Sequence, residues 1–153
     1  MEKTNAMRLL DAADIPYQAH TYDPELTDGV SVAAAVGIDA DRVFKTLVTV
    51  GATGEHFVFV IPVGLTLDLK KAAKAAGVKN IAMIRQKELL PLTGYVHGGC
   101  SPLGQKKLFR TFFDETAILF DAIVFSAGKR GLQIEAAPDP LVAYLNASYA
   151  DLT

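Results

Sequence analysis

Residues 43–62 read VFKTLVTVGATGEHFVFVIP, and this stretch decides the fold class. Two runs rich in Val, Phe, Ile and Thr, 43–50 and 56–62, flank a turn at 51–54 with glycine at each end. β-Branched and aromatic residues favour strands, and a short glycine-containing turn between two such runs is typical of a β-hairpin. Lys45 interrupts the first run, although a lysine inside an apolar strand is costly unless its ammonium reaches a pocket, a partner or water.

Helices and shorter strands are predicted on both sides of this hairpin. Caps and apolar spacing predict helices at 4–14 (N-cap Thr4 or Asn5), from a Ser31 cap to Gly37, at 68–77 between Asp68 and Gly77, and from Asp139-Pro140 onward. Extended segments are predicted at 17–22, 80–84, 95–97, 107–112, 121–126 and 131–135, with a helical turn at 86–90 stopped by Pro91. The pattern lacks a regular strand–helix alternation, so it predicts an α+β (mixed α/β) fold with a largely antiparallel sheet.

The composition is that of one globular domain spanning 1–153. Half of the 153 residues are hydrophobic and 21% are charged, which excludes disorder as the dominant state. The apolar run 57–67 is too short to cross a bilayer, and the first residues show no signal-peptide pattern, so no membrane association is expected. A single cysteine excludes an internal disulfide and a multi-thiolate zinc site. We therefore expect a cytoplasmic protein without a metal or other cofactor.

The net charge of −2 conceals an uneven distribution. Residues 70–110 contain nine Lys or Arg and one acid, whereas the segments on either side are acidic. A basic segment of this kind can attract a polyanion such as a nucleic-acid backbone. It can equally be a solvated face balanced by acidic neighbours in the fold, and charge alone does not decide between the two.

Four features are candidates for a functional site, and each has a purely structural alternative. Lys45 can serve a pocket or face outward from its strand. The glycine-rich stretch 94–107 can bring backbone N–H groups close to a ligand or form an irregular corner. The SAGKRG turn at 126–131 can cradle a phosphate or a sugar, or be an ordinary hairpin turn. Tyr22 can line a pocket or belong to the core.

Other reactive residues lack a diagnostic arrangement. Cys100 has no His or Asp at a catalytic spacing, so an inert packing role is expected. The three histidines, His20, His56 and His97, show no metal-ligand spacing. His97, beside the glycines, can border a pocket, although a strand histidine satisfied by its neighbours is the preferred interpretation.

Taken together, several motifs give the chain a resemblance to the YbaK/EbsC family of free-standing aminoacyl-tRNA editing domains. The motifs are FKTL at 44–47, LDLKK at 67–71, TGY at 93–95, GGCSPLGQKK at 98–107 and SAGKRGL at 126–132. The likeness covers nearly the whole chain, and the string at 98–107 is the most specific part. It implies a barrel-like mixed sheet flanked by helices, the fold shared by YbaK proteins and the editing domain of prolyl-tRNA synthetase.

The resemblance also implies roles for individual residues. Lys45 matches the catalytic pocket lysine, and Gly98 matches the glycine whose backbone faces the aminoacyl carbonyl, with Gly99 beside it. Ser126 and Gly128 match positions near the terminal adenosine, and Tyr22 matches a pocket-lining tyrosine. Gln133 stands on the substrate-binding wall where YbaK-type members often carry Asp. The loop after Tyr22 is shorter than is common and lacks an expected Phe between 23 and 30.

The activity implied is trans-editing of mischarged tRNA, foremost Cys-tRNA(Pro) and also Cys-tRNA(Cys), with the substrate thiol assisting release of the tRNA. Contacts to the acceptor stem are expected from basic residues, namely Lys70, Lys71, Lys74, Lys106, Lys107, Lys129 and Arg130. Association with prolyl-tRNA synthetase is expected, because the chain has no module that could read an anticodon.

Three alternatives stay open at this stage. Gln133 and the short loop leave room for a deacylase that acts on alanyl- or seryl-tRNA with water as the nucleophile. A non-catalytic module that binds tRNA or a synthetase would also use the basic segment. A nucleotide- or phosphate-binding protein would use the turn at 126–131.

Overall fold

A computed structural model describes residues 2–153 of the chain. Its α-helices are Asn5–Ala12 (α1), Gly29–Val36 (α2), Leu69–Ala76 (α3), Leu89–Thr93 (α4) and Pro138–Tyr144 (α5). Its strands are Gln18–Thr21 (β1), Phe44–Gly51 (β2), His56–Pro62 (β3), Ile81–Met83 (β4), Arg110–Asp114 (β5), Ile123–Lys129 (β6), Leu132–Ala136 (β7) and Ser148–Ala150 (β8). Short 3-10 turns lie at Ala40–Arg42, Gln86–Glu88 and Glu115–Leu119. No helix in this part of the chain has the length and hydropathy needed to cross a membrane.

The strands form two sheets. A five-stranded sheet has the order β4-β2-β3-β5-β8, and a three-stranded sheet has the order β1-β7-β6. The β2–β3 hairpin pairs Phe44 with Pro62 and Val50 with His56. Pairing is antiparallel except at β3–β5 and β5–β8, which are parallel. The predictions of an α+β fold, of the hairpin and of largely antiparallel pairing are confirmed.

The expected barrel-like sheet does not close. Within residues 2–153, the backbones of the two sheets meet at one isolated parallel bridge between Val43 and Val124. One edge of β2 pairs with β3 from Phe44 to Val50, and the other edge pairs with β4 at Thr49–Gly51. The two sheets diverge from this point.

Strand β3 separates two hydrophobic clusters. Val58 and Val60 point into a cluster that includes Met7 and Leu10 of α1 and the inner residues of β6 and β7. Phe57, Phe59 and Ile61 point into a cluster covered by the alanines of α3. Because both faces of β3 are buried, its sequence is continuously apolar rather than alternating.

Local signals place the helix ends with three exceptions. Asp68 caps α3, and Gly77 ends it at φ 72°, as predicted. The expected Ser31 cap of α2 is wrong: Asp28 is the N-cap and accepts hydrogen bonds from the Ser31 N–H and hydroxyl. Pro91 does not stop the helical turn before it either. It lies in the first turn of α4, where backbone N–H groups have no intrahelical acceptor, so a proline costs no hydrogen bond. The third exception is α5, which begins at Pro138 and not at Asp139-Pro140, so Pro138 is the proline at the first helical position.

The stretch between α4 and β5 holds no strand, so the predicted strand at 95–97 is wrong. This stretch is held by tertiary contacts of Tyr95, whose hydroxyl donates to the Leu103 carbonyl. A Cβ at Gly128 would lie 2.9 Å from the Tyr95 ring, and one at Gly104 would lie 3.0 Å from its hydroxyl. Strand β8, which adds the last edge of the larger sheet, was not predicted at all.

A charged network ties the turn before β2 to the smaller sheet. Glu135 Oε2 lies 2.9 Å from Arg42 Nη1, and Glu135 Oε1 lies 2.7 Å from His20 Nε2. Arg42 also donates to the Ala122 carbonyl. The hydrogen bonds from His20 and Arg42 hold the pKa of Glu135 below its usual range. The network therefore stabilises the junction of the two sheets while Glu135 is ionised.

Glu135→Gln is expected to lower the free energy of unfolding by about 1–2 kcal/mol at neutral pH, because charge-assisted hydrogen bonds are lost. A carboxylate with a lowered pKa contributes stability that is present at neutral pH and lost as the pH falls through that pKa. The difference between wild type and variant should therefore shrink in acid. Urea unfolding at two pH values measures it, with exposed Glu55→Gln as the control. A constant difference at both pH values would contradict the ionic role.

Candidate functional site

A cavity of about 420 Å³ lies in the gap between the two sheets. Five of the seven residues predicted for the substrate site line it: Tyr22, Lys45, Gly98, Ser126 and Gln133. These residues come from five separate segments of the chain. The structure thus brings together the motifs at 44–47 and 126–132, which are far apart in the sequence.

Lys45 is half-buried in the wall of this cavity and pairs across the hairpin with Ile61. Its ammonium forms no hydrogen bond or ion pair with any of residues 2–153. Burial lowers the pKa of Lys45, and the negative charge of Asp28 partly opposes that shift. The alternative of an outward-facing strand lysine is therefore wrong, and the cavity holds an unpaired cation.

The glycine pair forms part of a tight turn at the mouth of the cavity. The Gly99 N–H donates to the Val96 carbonyl at 3.0 Å, and Gly98 has φ 83°, as the third residue of a type II turn requires. The Gly99 N–H is therefore already used. The Gly98 N–H has no acceptor among residues 2–153, and Gly98 lines the cavity. Of the two candidates, Gly98 has the free donor.

Gly99 and Gly128 do not line the cavity but allow close packing beside it. A Cβ on Gly99 would lie 3.1 Å from the Arg130 backbone nitrogen. Arg130 Nε donates to the His97 carbonyl at 2.8 Å, which fastens the turn at 96–99 to the β6–β7 hairpin. Gly128 donates its N–H to the Ser126 hydroxyl at 3.1 Å and leaves room for Tyr95.

Cys100 lines the cavity as a buried thiol. Burial raises the pKa of its thiol to about 12, so the group stays protonated at neutral pH. This finding agrees with the predicted packing role. No group of three or more potential metal ligands occurs within residues 2–153.

Sequence reasoning did not assign four polar residues of the cavity wall to the site, namely Thr27, Asp28, Thr46 and His97. Asp28 lies there because it caps α2, whose N-terminus faces the cavity. It was overlooked because Ser31 was predicted as the cap of that helix. For His97, which precedes Gly98, a strand histidine satisfied by its neighbours was preferred to a pocket position, and the structure places it in the cavity wall. Thr46 is adjacent to Lys45, and strand alternation argues that two neighbours face opposite sides. At the bridged end of β2 both of them reach the cavity.

The basic residues of the predicted tRNA surface divide into separate groups. None of the lysines of α3 lines the cavity, and Lys71 is paired with Asp151 at 3.0 Å. Lys129 and Arg130 lie on the β6–β7 turn and line a second cavity of about 310 Å³, which shares Tyr22 with the first. The basic segment is therefore not a continuous positive face directed at the site.

Comparison with known proteins identifies the family. Residues 23–144 match the model of the aminoacyl-tRNA editing domain. The chain is 46% identical over 99% of its length to EbsC of Enterococcus faecalis, of which it covers 94% and whose assigned activity is Cys-tRNA(Pro)/Cys-tRNA(Cys) deacylation. It is also 32% identical over 57% of its length to 15% of the proline–tRNA ligase of Pelobacter propionicus.

A solved structure supports the same conclusion. The fold superimposes on a protein described as a trans-editing enzyme for prolyl-tRNA synthetase with a TM-score of 0.86, at 25% identity, covering 100% of this chain and 99% of that one. The chain therefore belongs to the aminoacyl-tRNA editing domain family. The predicted resemblance is confirmed, and with it the class of aminoacyl-tRNA editing enzymes.

Asp28→Asn is expected to lower the pKa of Lys45 further, because it removes the negative charge that opposes the effect of burial. Asn preserves the helix cap, so the fold is kept. The ammonium of Lys45 is lost as the pH rises through its pKa, so its titration should move to lower pH. NMR titration of the lysine Nζ resonances measures the shift, with Asp23→Asn on the same loop as the control. An unchanged Lys45 titration would contradict the coupling.

Proposed function

We propose that this chain deacylates Cys-tRNA(Pro), and Cys-tRNA(Cys) as well, and that the cavity between the two sheets holds the aminoacyl end. The observation that carries the proposal is the pairing of an unpartnered Lys45 ammonium with an unused Gly98 N–H in one cavity. The assigned activity of the E. faecalis relative supports this choice of substrate.

The chemistry needs a nucleophile that the cavity lining does not supply. The Cys100 thiol is protonated, and within residues 2–153 the Ser126 hydroxyl is hydrogen-bonded to the Gly128 N–H and to no histidine that could act as its base. In the proposed step the sulfur of the substrate cysteine attacks its own carbonyl carbon. A C–S bond forms, the ester C–O bond breaks, and the thiol proton passes to the departing ribose oxygen. The products are a cyclic thiolactone and free tRNA.

Lys45 and Gly98 would act on the charge that develops in this step. The carbonyl oxygen becomes negative as sulfur attacks, and a fixed N–H and a half-buried ammonium stabilise such a charge more strongly than water does. Burial lowers the pKa of Lys45, and the negative charge of Asp28 opposes that shift and favours the ammonium form. In this scheme the N–H that donates to the aminoacyl carbonyl is that of Gly98 and not that of Gly99.

The terminal adenosine would lie toward β6. The Ser126 hydroxyl accepts a hydrogen bond from the Gly128 N–H, so its own proton is free to be donated to a ribose oxygen. Tyr22 is fixed by its backbone N–H, which donates to the Gly131 carbonyl at 3.0 Å. Its ring borders both cavities, which suits a surface against which a base can stack.

The tRNA body would be held by dispersed basic residues and a partner. Lys129 and Arg130 line the second cavity, Lys106 and Lys107 lie on the long stretch before β5, and Lys70, Lys71 and Lys74 lie on α3. Such phosphate contacts carry no sequence information. Association with prolyl-tRNA synthetase would supply the choice of tRNA, and the similarity to part of a proline–tRNA ligase supports this link.

The first test is deacylation of Cys-tRNA(Pro), Ala-tRNA(Pro), Ser-tRNA and Pro-tRNA(Pro) by wild type and by Lys45→Met. We expect cleavage of the cysteinyl ester alone and a fall of roughly 10²–10³-fold in its rate in the variant, as for loss of one oxyanion-stabilising donor. Lys79→Met, which removes an exposed lysine outside the site, is the matched control.

Each other outcome of this experiment has a defined meaning. Full activity of Lys45→Met would refute the role given to Lys45. Cleavage of the alanyl or seryl ester would favour water as the nucleophile. The observation behind this alternative is that Gln133 stands where related proteins often carry a charged Asp. No cleavage of any ester, even with prolyl-tRNA synthetase present, would favour a binding module.

The second test addresses the contacts with tRNA. The affinity for tRNA should fall as salt rises, and replacing Lys107 or Lys129 by Gln should each reduce the slope of log affinity against log salt by about 1. Fluorescence anisotropy with labelled tRNA from low to high salt measures the slope, and Lys79→Gln serves as the control. Equal binding at low and high salt would rule out the electrostatic account.

A further inference from the structure

Two oxygen atoms of the cavity wall have no hydrogen-bond partner. They are Thr46 Oγ1 on β2 and Gln133 Oε1 on β7, and both are buried from solvent. Gln133 is only 7% exposed, and both residues line the cavity of the proposed site. Buried polar atoms without partners are rare in folded proteins and need an explanation. The two residues stand on different sheets, and both line this one cavity.

The chemistry of these atoms limits what can satisfy them. A carboxamide oxygen only accepts hydrogen bonds, and a threonine hydroxyl can accept as well as donate. A carbonyl, a phosphate or another acceptor-only group cannot serve both atoms. The occupant must therefore bring hydrogen-bond donors.

We propose that Thr46 Oγ1 and Gln133 Oε1 bind the α-amino group of the aminoacyl ester, a proposal that rests on the proposed function. An α-ammonium carries three donors and no acceptor, like the lysine ammonium, so it needs several oxygens at once. A thiol is a weak donor, and a ribose hydroxyl brings an acceptor with each donor. The α-ammonium is thus the part of the substrate that best matches Thr46 Oγ1 and Gln133 Oε1, two acceptors of residues that line one cavity.

This placement also orients the ester. The ammonium of Lys45 repels a second cation, so the α-amino group belongs at the neutral oxygens, and the carbonyl belongs at Lys45 and Gly98. The substrate is then held at two points, and the thiol is left free to reach the carbonyl carbon. Since Gln133 carries no charge, the wall can hold the amine without an ion pair.

The network behind Gln133 supports its position. His20 is paired with Gln133 in the β1–β7 register, and Glu135 lies two residues further along the same face of β7. Glu135 is fixed by His20 and Arg42. Gln133 therefore lies beside His20, whose side chain is hydrogen-bonded to Glu135.

The test compares Cys-tRNA(Pro) with 3-mercaptopropionyl-tRNA(Pro), which keeps the thiol and lacks the α-amino group. We expect wild type to prefer the cysteinyl ester by at least about tenfold in kcat/KM. Thr46→Val and Gln133→Met remove the acceptors at nearly constant volume and should abolish that preference. Thr46→Ser and Gln133→Glu keep an acceptor and should retain it.

Stability separates a binding role from a structural one. Thr46→Val should leave the melting temperature unchanged or raise it, because the hydroxyl it removes has no partner. Thr49→Val is the matched control on the same strand. The Thr49 hydroxyl is buried and donates to the Phe57 carbonyl at 3.0 Å, so its loss should lower the melting temperature without affecting the preference between esters.

Three results would overturn the inference. Wild type could cleave both esters equally, which would refute the α-amino contact while leaving the deacylase function intact. The variants could lose activity on both esters by the same factor, which would assign the oxygens to the ribose or the thiol. Wild type could cleave neither ester, which would overturn the proposed function and the inference that rests on it.

Discussion

Burial of β3 on both faces is the constraint on which the structure depends. Six of its seven residues, Phe57–Pro62, are buried, and the strand divides the interior into two hydrophobic clusters. One face must be covered by α3 and the other by α1 and the smaller sheet, since an exposed apolar face would be unstable in water. Strand β2 is fixed on one edge of β3 and β5 on the other. The position of Lys45 on β2 is therefore determined by the packing of a neighbouring strand that never touches the substrate site.

The gap between the sheets follows from that arrangement. The sheets are joined where Val43 meets Val124 and, close by, where Glu135 binds Arg42, and they separate beyond this junction. A cavity between rigid sheets holds its wall residues in fixed positions, which suits a reaction that depends on orientation and charge stabilisation. The cavity also leaves the Lys45 ammonium without an ion pair and two buried oxygens without hydrogen-bond partners, which is unfavourable for stability. Local departures from good packing are expected at functional sites, and here all three groups line the same cavity.

The sequence allowed some features to be predicted, and the reasons are physical. The hairpin and α3 were predictable because turn and cap residues act locally, as Asp68 and Gly77 do. The strand at 95–97 was wrong because Tyr95 is held by distant contacts with Leu103 and Gly128, which have no local signature. Thr46 was missed because strand alternation assumes a regular sheet, whereas β2 borders the cavity at its bridged end. The five site residues that line the cavity came from a resemblance between motifs, since spacing alone left each with a structural alternative.

A cavity whose lining holds no ionised nucleophile constrains what the protein can select. The buried Cys100 thiol cannot compete with the substrate as an attacking group. If the attacking sulfur belongs to the substrate, the reaction itself rejects alanyl and prolyl esters, whatever their fit to the wall. A pocket that discriminates only by size gains about 10–200-fold for one methylene. Discrimination by the presence of a nucleophile does not have that limit, so the wall at Gln133 need not carry a charge to exclude other amino acids. Its neutral oxygen has only to hold the amine and leave the thiol free.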